Sequence, residues 1–165
     1  MKSKNLLVLG LSILTVVAFT LLPVAPASAA NGNGMTWTKV SSYNSGAVRV
    51  GCSGCDAYAG DTACTNSLPV LCIYQSSVPD PDPSVSSYYN GWSGGHVGLT
   101  TPVQGNQLYS LTNANSLCVG QFGSGWRMAE FHDGNGGWNF RAFGFPADNV
   151  RFWTYIDDQP ANCWD

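Results

Sequence analysis

Long charged side chains are scarce in this sequence. Charged residues make up 10% of its 165 residues, and Glu130 is its one glutamate. Five lysines and arginines follow residue 29, and they form no run. This shortage excludes nucleic acid as a partner, because that binding requires many cations to neutralise phosphates. Abundant Gly, Ser, Asn, Trp and Tyr residues favour strands and loops over a helical bundle.

Histidine is also rare, which limits the catalytic chemistry that the chain can carry. His96 and His132 are its two histidines, and no HExxH motif is present. The sequence therefore lacks the common signature of zinc proteases.

The first 29 residues have the pattern of a cleavable secretory signal. Lys2 and Lys4 give a positive start, the segment from Leu6 to Leu22 is apolar, and Ala27-Ser28-Ala29 supplies small residues for a signal peptidase. An uncleaved membrane anchor is the alternative, since about 17 residues is near the lower limit for a bilayer span. No later segment is long and apolar enough to span a membrane.

Residues 30–165 are predicted to form a single secreted domain, either extracellular or, in a double-membrane bacterium, periplasmic. Loss of the signal would change the formal charge from −3 to −5. Within this domain we distinguish an N-terminal cysteine-cluster part (36–77), a Pro-rich linker (78–86) and a C-terminal part (87–165).

All six cysteines lie in the predicted domain, and an even number in an exported chain predicts disulfides. The simplest partition joins Cys118 to Cys163 and pairs the four clustered cysteines among themselves, with their connectivity left open: Cys52, Cys55, Cys64 and Cys72. A zinc site and a redox dithiol are alternatives for the Cys52-Ser53-Gly54-Cys55 motif. Loop-forming residues follow this motif, which favours structural disulfides.

The patterning predicts an α+β fold that is mostly β, with a small disulfide-stabilised antiparallel sheet and one packed helix. Alternating residues predict strands at Thr36–Val40 and Ala47–Val50. An apolar stripe predicts the helix at about 110–122, capped by Ser110. Further strands are predicted at Ser87–Trp92 and His96–Thr100, on either side of a Gly94-Gly95 bend. Two aromatic strands follow at Trp138–Phe143 and Arg151–Ile156. The Pro-rich segment 78–86 is expected to be extended and exposed.

Two segments are the most distinctive sequence motifs of the chain: GSGWRMAEFHDG, from Gly123 to Gly134, and RFWTYIDDQPANCW, from Arg151 to Trp164. Over residues 88–165 the chain resembles a group of small exported bacterial proteins of unassigned activity. That resemblance implies export and no particular chemistry.

The chain also resembles, more loosely, the C-type-lectin-like fold. In that fold too a helix bears a cysteine bonded near the last strand, and a Gly-Trp-Arg segment follows the helix in some bacterial members. The chain is shorter after the helix and lacks the family's calcium motif, and Gln159-Pro160-Ala161-Asn162 is only a faint echo of that motif in another place. Calcium-dependent sugar binding is therefore not implied.

The candidate catalytic residues are Glu130, His132 and Asp133. His132 could act as a general base that Asp133 or Glu130 orients. With His96 folded against them, two imidazoles and a carboxylate could hold a metal ion with an open position. The structural alternative pairs Arg127 with Glu130 and leaves His132 bonded within a turn.

Two pairs of acidic residues are further candidate sites. Asp80 and Asp82 lie in the Pro-rich segment, where turn formation and solubility explain them. Asp157 and Asp158, together with Asn162, form a candidate calcium site, so calcium is the candidate cofactor. Catalysis by either pair would need carboxylates that face each other across a cleft.

Six tryptophans provide the candidate binding surface. Successive residues of a strand point to opposite faces, so aromatic residues on both faces cannot all be core unless the sheet is covered twice. One face is therefore expected to present rings to a ligand. The candidate binding residues are Trp126, Arg127, Trp138, Trp153 and Tyr155.

The leading functional hypothesis is a secreted, non-enzymatic binding module for a glycan or a cell-surface partner. The first alternative is a small extracellular hydrolase, metal-assisted or not, centred on Glu130, His132 and Asp133. The second alternative is a structural or matrix component.

Overall fold

A computed structural model describes residues 32–165. The predicted signal peptide, 1–29, lies outside the described residues. No helix within residues 32–165 has the length and apolar character needed to cross a membrane.

A seven-stranded sheet forms the centre of the fold. The strands of the chain are β1 (Asn33–Gly34), β2 (Thr36–Ser42), β3 (Ala47–Gly51), β4 (Thr62–Ala63), β5 (Ser67–Leu68), β6 (Leu71–Gln75), β7 (Gly91–Leu99), β8 (Val103–Gln104), β9 (Arg127–Met128), β10 (Asn139–Gly144) and β11 (Arg151–Trp153). The order in the large sheet is β11-β2-β3-β10-β7-β6-β9, while β1 pairs with β4 and β5 with β8. Every neighbouring pair in the large sheet is antiparallel except β7 and β10, which are parallel.

The predicted α+β, mostly β fold is confirmed. Strands β2 and β3 lie where alternation predicts them, and α1 spans Leu111–Phe122. The Ser110 hydroxyl accepts the backbone N–H of Asn113 at 3.1 Å, which is the expected N-cap. Two 3-10 turns, Pro83–Val85 and Gly105–Gln107, complete the regular elements.

The strand boundaries differ most from the prediction around Gly94-Gly95 and near the C-terminus. Strand β7 runs unbroken through Gly94 and Gly95, where a bend was expected. Its register with β10 shifts between Trp92 and His96, so the glycines form a local irregularity within one strand. The last strand ends at Trp153 instead of Ile156, and the chain beyond it joins the loops that cover the sheet.

One face of the sheet carries the main hydrophobic core. The rings of Trp37 and Phe140 lie 5.6 Å apart, and Trp37 also packs against Phe131 from a covering loop at 5.8 Å. Ala57 and Ile156 reach the same core from two other loops. The core therefore packs the sheet against three loops that have little regular secondary structure.

The opposite face is covered by α1 at one end. Phe122 packs over Gly98 of β7, and Ala114 and Cys118 are fully buried between the helix and the sheet. Trp153 belongs to this second cluster, and its indole N–H donates to the Val103 carbonyl at 3.2 Å. Aromatic residues on both faces are thus accommodated because the sheet is covered twice.

The predicted Cys118–Cys163 disulfide is wrong. The predicted pairing of the four clustered cysteines among themselves holds only for Cys52 and Cys55 and is wrong for Cys64 and Cys72. The bonds join Cys52 to Cys55, Cys64 to Cys163 and Cys72 to Cys118. The helix packs directly on β6 and β9, which brings Cys118 over Cys72. The C-terminal segment instead lies beside β1 and β4, where Met35 donates to the Ala161 carbonyl at 2.7 Å. One feature on which the lectin-like resemblance was based is therefore absent, although all six cysteines are bridged as expected.

The Pro-rich segment 78–86 is mostly exposed, as predicted, but it is not a free linker. It lies across the second face of the sheet, at the end opposite α1, and we call it the strap. Asp80 receives two hydrogen bonds from Arg141 of β10, at 2.9 and 2.6 Å. The Trp92 indole N–H donates to the Val78 carbonyl at 2.6 Å. Asp80 therefore fastens the strap to the sheet, and it also forms the predicted turn by accepting the Asp82 N–H at 3.0 Å.

Arg141 is completely buried and depends on these contacts. Its guanidinium also donates to Ser86 at 2.6 Å and lies 5.7 Å from the Trp92 ring centroid. Arg49 lies directly opposite Arg141 on β3. Because two like charges at paired positions repel each other, Arg141 needs an anion, and Asp80 of the strap provides it. Burial raises the pKa of Asp80, but hydrogen bonds from Arg141, the Asp82 N–H and Ser86 outweigh it, and the pKa lies below its ordinary 3.8.

The Asp80→Asn variant should lose about 3–5 kcal/mol of unfolding free energy, because it leaves a buried guanidinium without its anion. In the wild type, this contribution is present above the ordinary pKa of 3.8 and disappears as pH falls through the lower folded pKa. Denaturant titrations at several pH values measure both effects.

Asp148→Asn is the matched control, since Asp148 pairs with Lys39 at 2.9 Å while 76% exposed. An exposed ion pair contributes about 0–1 kcal/mol. Equal losses in the two variants would contradict the role assigned to Asp80.

Candidate functional site

A cleft of about 220 Å³ opens beside the main core, and five of its eleven lining residues are Tyr, Phe or Trp. Its lining residues come from four separate segments: Ala57, Tyr58, Tyr88, Tyr89, Phe131, His132, Gly136, Trp138, Ile156, Asp158 and Gln159. We call this the aromatic cleft. Its tyrosines Tyr58, Tyr88 and Tyr89 are 61%, 67% and 56% exposed, which is unusual for such large rings.

The first wall comes from the loop that directly follows the Cys52–Cys55 disulfide. Asp56 accepts the backbone N–H of Tyr58 at 2.8 Å, forming a turn that projects the Tyr58 side chain outward. The N–H of Cys52 donates to the Trp138 carbonyl at 2.7 Å. The Tyr58 and Trp138 rings lie 6.3 Å apart, so the backbone bond and the rings hold two walls together.

Tyr88 and Tyr89 form the opposite wall and follow the strap directly. Their position depends on close backbone contacts that only glycine permits. A Cβ at Gly136 would lie 1.5 Å from the Tyr88 carbonyl oxygen, and one at Gly91 would lie 1.7 Å from that of Gly134. These contacts fix the distance between the tyrosine wall and the loop that leads to Trp138.

Trp138 adopts a left-handed backbone conformation with φ of 65°. This conformation is uncommon for a bulky residue, and such strain is found most often at functional sites. The Trp138 ring packs edge-on against Phe131 at 5.2 Å. The core therefore holds one side of the indole while its other side borders the cleft.

The loop after β9 is organised by Asp133. Arg127 donates to both oxygens of the Asp133 carboxylate, one of these bonds being 3.1 Å long. Asp133 also accepts the backbone N–H of Glu130 at 2.7 Å. The predicted Arg127–Glu130 pair is thus replaced by Arg127–Asp133, and Asp133 has a positioning role in the loop.

Glu130, His132 and Asp157 come together at the rim of the aromatic cleft. Their ligating atoms lie within 4.8 Å of one another. The distance from His132 Nδ1 is 3.0 Å to Glu130 Oε1 and 3.7 Å to Asp157 Oδ1. Burial raises the pKa of Glu130, and the nearby Asp157 adds to this rise, whereas hydrogen bonds with His132 oppose it.

Chemically, this group is a carboxylate–imidazole dyad with a second carboxylate beside it. Glu130 orients the His132 ring by bonding Nδ1, and it also accepts the His132 backbone N–H. The three side chains are of the types that bind zinc, but a metal ion at Nδ1 would have to displace the Glu130 hydrogen bond. Orienting His132 is the role that the observed contacts support directly.

The other candidate ligands are placed elsewhere. His96 packs against Phe143 at 5.6 Å and is not part of the group at His132. The Asn162 side chain bonds both the N–H and the carbonyl of Ile156, at 3.0 and 2.8 Å. The proposed calcium set of Asp157, Asp158 and Asn162 is therefore not assembled, because Asn162 is committed to a turn.

The candidate binding residues also separate. Trp138 borders the cleft, whereas Trp153 is 1% exposed and cannot contact a ligand. Trp126 lies between Phe122 and Tyr74, stacked on both at 4.6 and 5.9 Å. Arg127 and Tyr155 are half-buried next to the acidic loop, where burial raises the pKa of Tyr155.

Sequence reasoning missed Tyr58, Tyr88, Tyr89 and Gln159. The sequence predicts Tyr88 and Tyr89 within a strand, whereas in the structure both precede β7, which begins at Gly91. A usable signal was their position between the Pro-rich segment and Asn90-Gly91, since aromatic residues in loops are more often exposed for binding than those in strands.

Comparisons with protein-family models, curated proteins and solved structures found no match to this chain. The resemblances stated from the sequence therefore stay predictions. The function has to be inferred from the geometry of the aromatic cleft.

Gly136→Ala should destabilise the fold by about 1–3 kcal/mol, because its Cβ would overlap the Tyr88 carbonyl. The exposed Gly120 of α1 is the control, since a Cβ there meets nothing within 4 Å. Gly120→Ala should stabilise the protein by about 0.5–1 kcal/mol through helix propensity. Thermal and denaturant unfolding compare the two, and equal stability of both variants would argue against the close contact.

Selective labelling can test the environment of Glu130, because the chain has no other glutamate. Protein grown with δ-¹³C glutamate should give one carboxyl resonance that titrates above the ordinary pKa of 4.5. The carboxyl's contribution to stability is then complete below 4.5 and is lost as pH rises through the folded pKa. The same sample in denaturant supplies the reference, and a folded pKa at or below that reference contradicts the described burial.

Proposed function

We propose that this protein is a secreted, non-enzymatic binding module, and that the aromatic cleft is its ligand site. The ligand is a group presented outside the cell by a glycan or another surface component. The observation that carries this proposal is the collection of Tyr58, Tyr88 and Tyr89, all more than half exposed, around one concave site.

Exposed aromatic rings support binding because they offer large apolar faces at little conformational cost. A tyrosine has two side-chain torsions to order, and its hydroxyl can bond a polar ligand. Concave sites with a few polar groups are the usual form of small-ligand sites. Here Asp158, Gln159 and His132 supply those groups beside the rings.

The disulfides support an oxidising environment outside the cytoplasm. All six cysteines are paired, and two of the bonds join positions 46 and 99 residues apart in sequence. Such bonds persist in secreted proteins and are rare in reducing compartments. Export through the signal-like segment 1–29 is part of this proposal.

A small hydrolase is the second candidate, favoured by the Glu130–His132 dyad at the cleft rim. Glu130 would orient His132 as a general base. No serine, threonine or cysteine is among the described residues that line the cleft, so the reaction would use a water molecule as the nucleophile.

The double variant Tyr88→Ala/Tyr89→Ala should lose at least about tenfold in affinity for surface glycans that bind the wild type, because it removes one aromatic wall. Its stability should change little, since both rings are exposed. Glycan arrays and titration calorimetry on the mature protein measure the affinity.

Tyr109→Ala is the control, since Tyr109 is 51% exposed and does not line the cleft. Equal binding by all variants would refute the cleft as the ligand site. Hydrolysis of an array ligand that disappears in His132→Ala, without loss of stability, would instead establish the second candidate.

A further inference from the structure

Among the described lining residues of the aromatic cleft, the one that carries a full charge with the imidazole neutral is Asp158. No lysine or arginine is among these described residues, and His132 is their one basic side chain. Asp157, the residue before Asp158, keeps 68% of its side chain exposed. Positive groups of the fold are committed elsewhere, with Arg141 on Asp80 and Arg151 on Asp61. The cleft therefore disfavours anionic ligands and attracts cations.

The rings of the cleft stand at steep angles to one another. Tyr88 and Tyr89 meet at 84°, Phe131 and Trp138 at 68°, and Tyr58 and Trp138 at 63°. A flat sugar ring is best matched by one flat aromatic platform. Rings at steep angles instead surround a compact group from several directions. Each ring face carries partial negative charge, so such walls attract a cation from several sides.

The volume of the aromatic cleft limits the size of the group that it can enclose. The cleft volume of about 220 Å³ is below the roughly 300–1,000 Å³ of pockets for drug-sized ligands. The described walls thus match a small group at the end of a longer molecule.

We infer that the aromatic cleft binds an alkylated ammonium group, with the rings enclosing the methyl groups and Asp158 balancing the charge. An alkylated ammonium suits these walls better than a primary amine because it is weakly hydrated and its methyl groups pack against rings. This inference rests on the proposed function, since it names the group that the binding module recognises.

The test compares choline with 3,3-dimethyl-1-butanol, a neutral molecule of nearly the same shape. Each is titrated into the mature protein while the Trp138 indole N–H resonance is followed by NMR. Choline should shift that resonance and bind about tenfold more tightly than the neutral compound. Equal affinity for choline and the neutral compound would overturn the cation inference.

Variants locate the binding. Tyr88→Ala and Asp158→Asn should each weaken choline binding by about threefold or more. Their controls, Tyr109→Ala and Asp148→Asn, alter an exposed tyrosine and an exposed aspartate that do not line the cleft, and should bind choline like the wild type. If Tyr88→Ala and Asp158→Asn bind choline as tightly as the wild type, the inference is overturned.

The outcomes also separate this inference from the proposed function. Glycan binding that depends on Tyr88 but is not inhibited by choline would overturn the cation inference and leave the binding module intact. If neither glycans nor choline depend on Tyr88, both proposals fail together.

Discussion

The buried ion pair between Arg141 and Asp80 is the interaction that holds the strap, residues 78–86, on the sheet. A guanidinium with no exposed surface lies in the middle of a sheet face, opposite another arginine. Burial of such a charge is tolerated only when an anion and further acceptors satisfy it. Asp80, Ser86 and the carbonyls of Asp82 and Asn90 meet that need. The strap is therefore held in place mainly by polar bonds.

This ion pair also reaches the candidate site, through the chain itself. The strap leads directly into Tyr88 and Tyr89, and Asn90 bonds the Val85 carbonyl at 2.8 Å. The opposite wall is held by the backbone bond from Cys52 to the Trp138 carbonyl and by packing of Trp138 on Phe131. The cleft is thus built from loops, but each loop is fixed to the sheet or the core, which is how binding residues can be both exposed and well positioned.

Local patterns predicted what depends on local physics. The alternation in β2 and β3 and the cap at Ser110 arise from periodicity and from unsatisfied helix N–H groups, which sequence spacing reveals. The disulfide pairing could not be predicted in this way. Whether Cys72 meets Cys118 depends on how α1 packs on β6, a contact between segments far apart in sequence.

The candidate site was only partly predictable for the same reason. Trp138 and His132 were found because their types and neighbours suggested chemistry, and both line the cleft. Trp153 was a wrong choice because burial depends on what covers a strand, and here a second layer does. Asp80 looked exposed because proline-rich segments usually are, but a buried arginine 61 residues away changes its environment.

The glycine contacts at Gly91 and Gly136 divide the cleft into a frame and a lining. The frame is backbone against backbone, with no room for any side chain at those two positions. The lining consists of exposed tyrosine side chains whose replacement disturbs little packing. Such a division allows ligand preference to be redesigned by exchanging surface rings and acids, while the width of the opening stays constant.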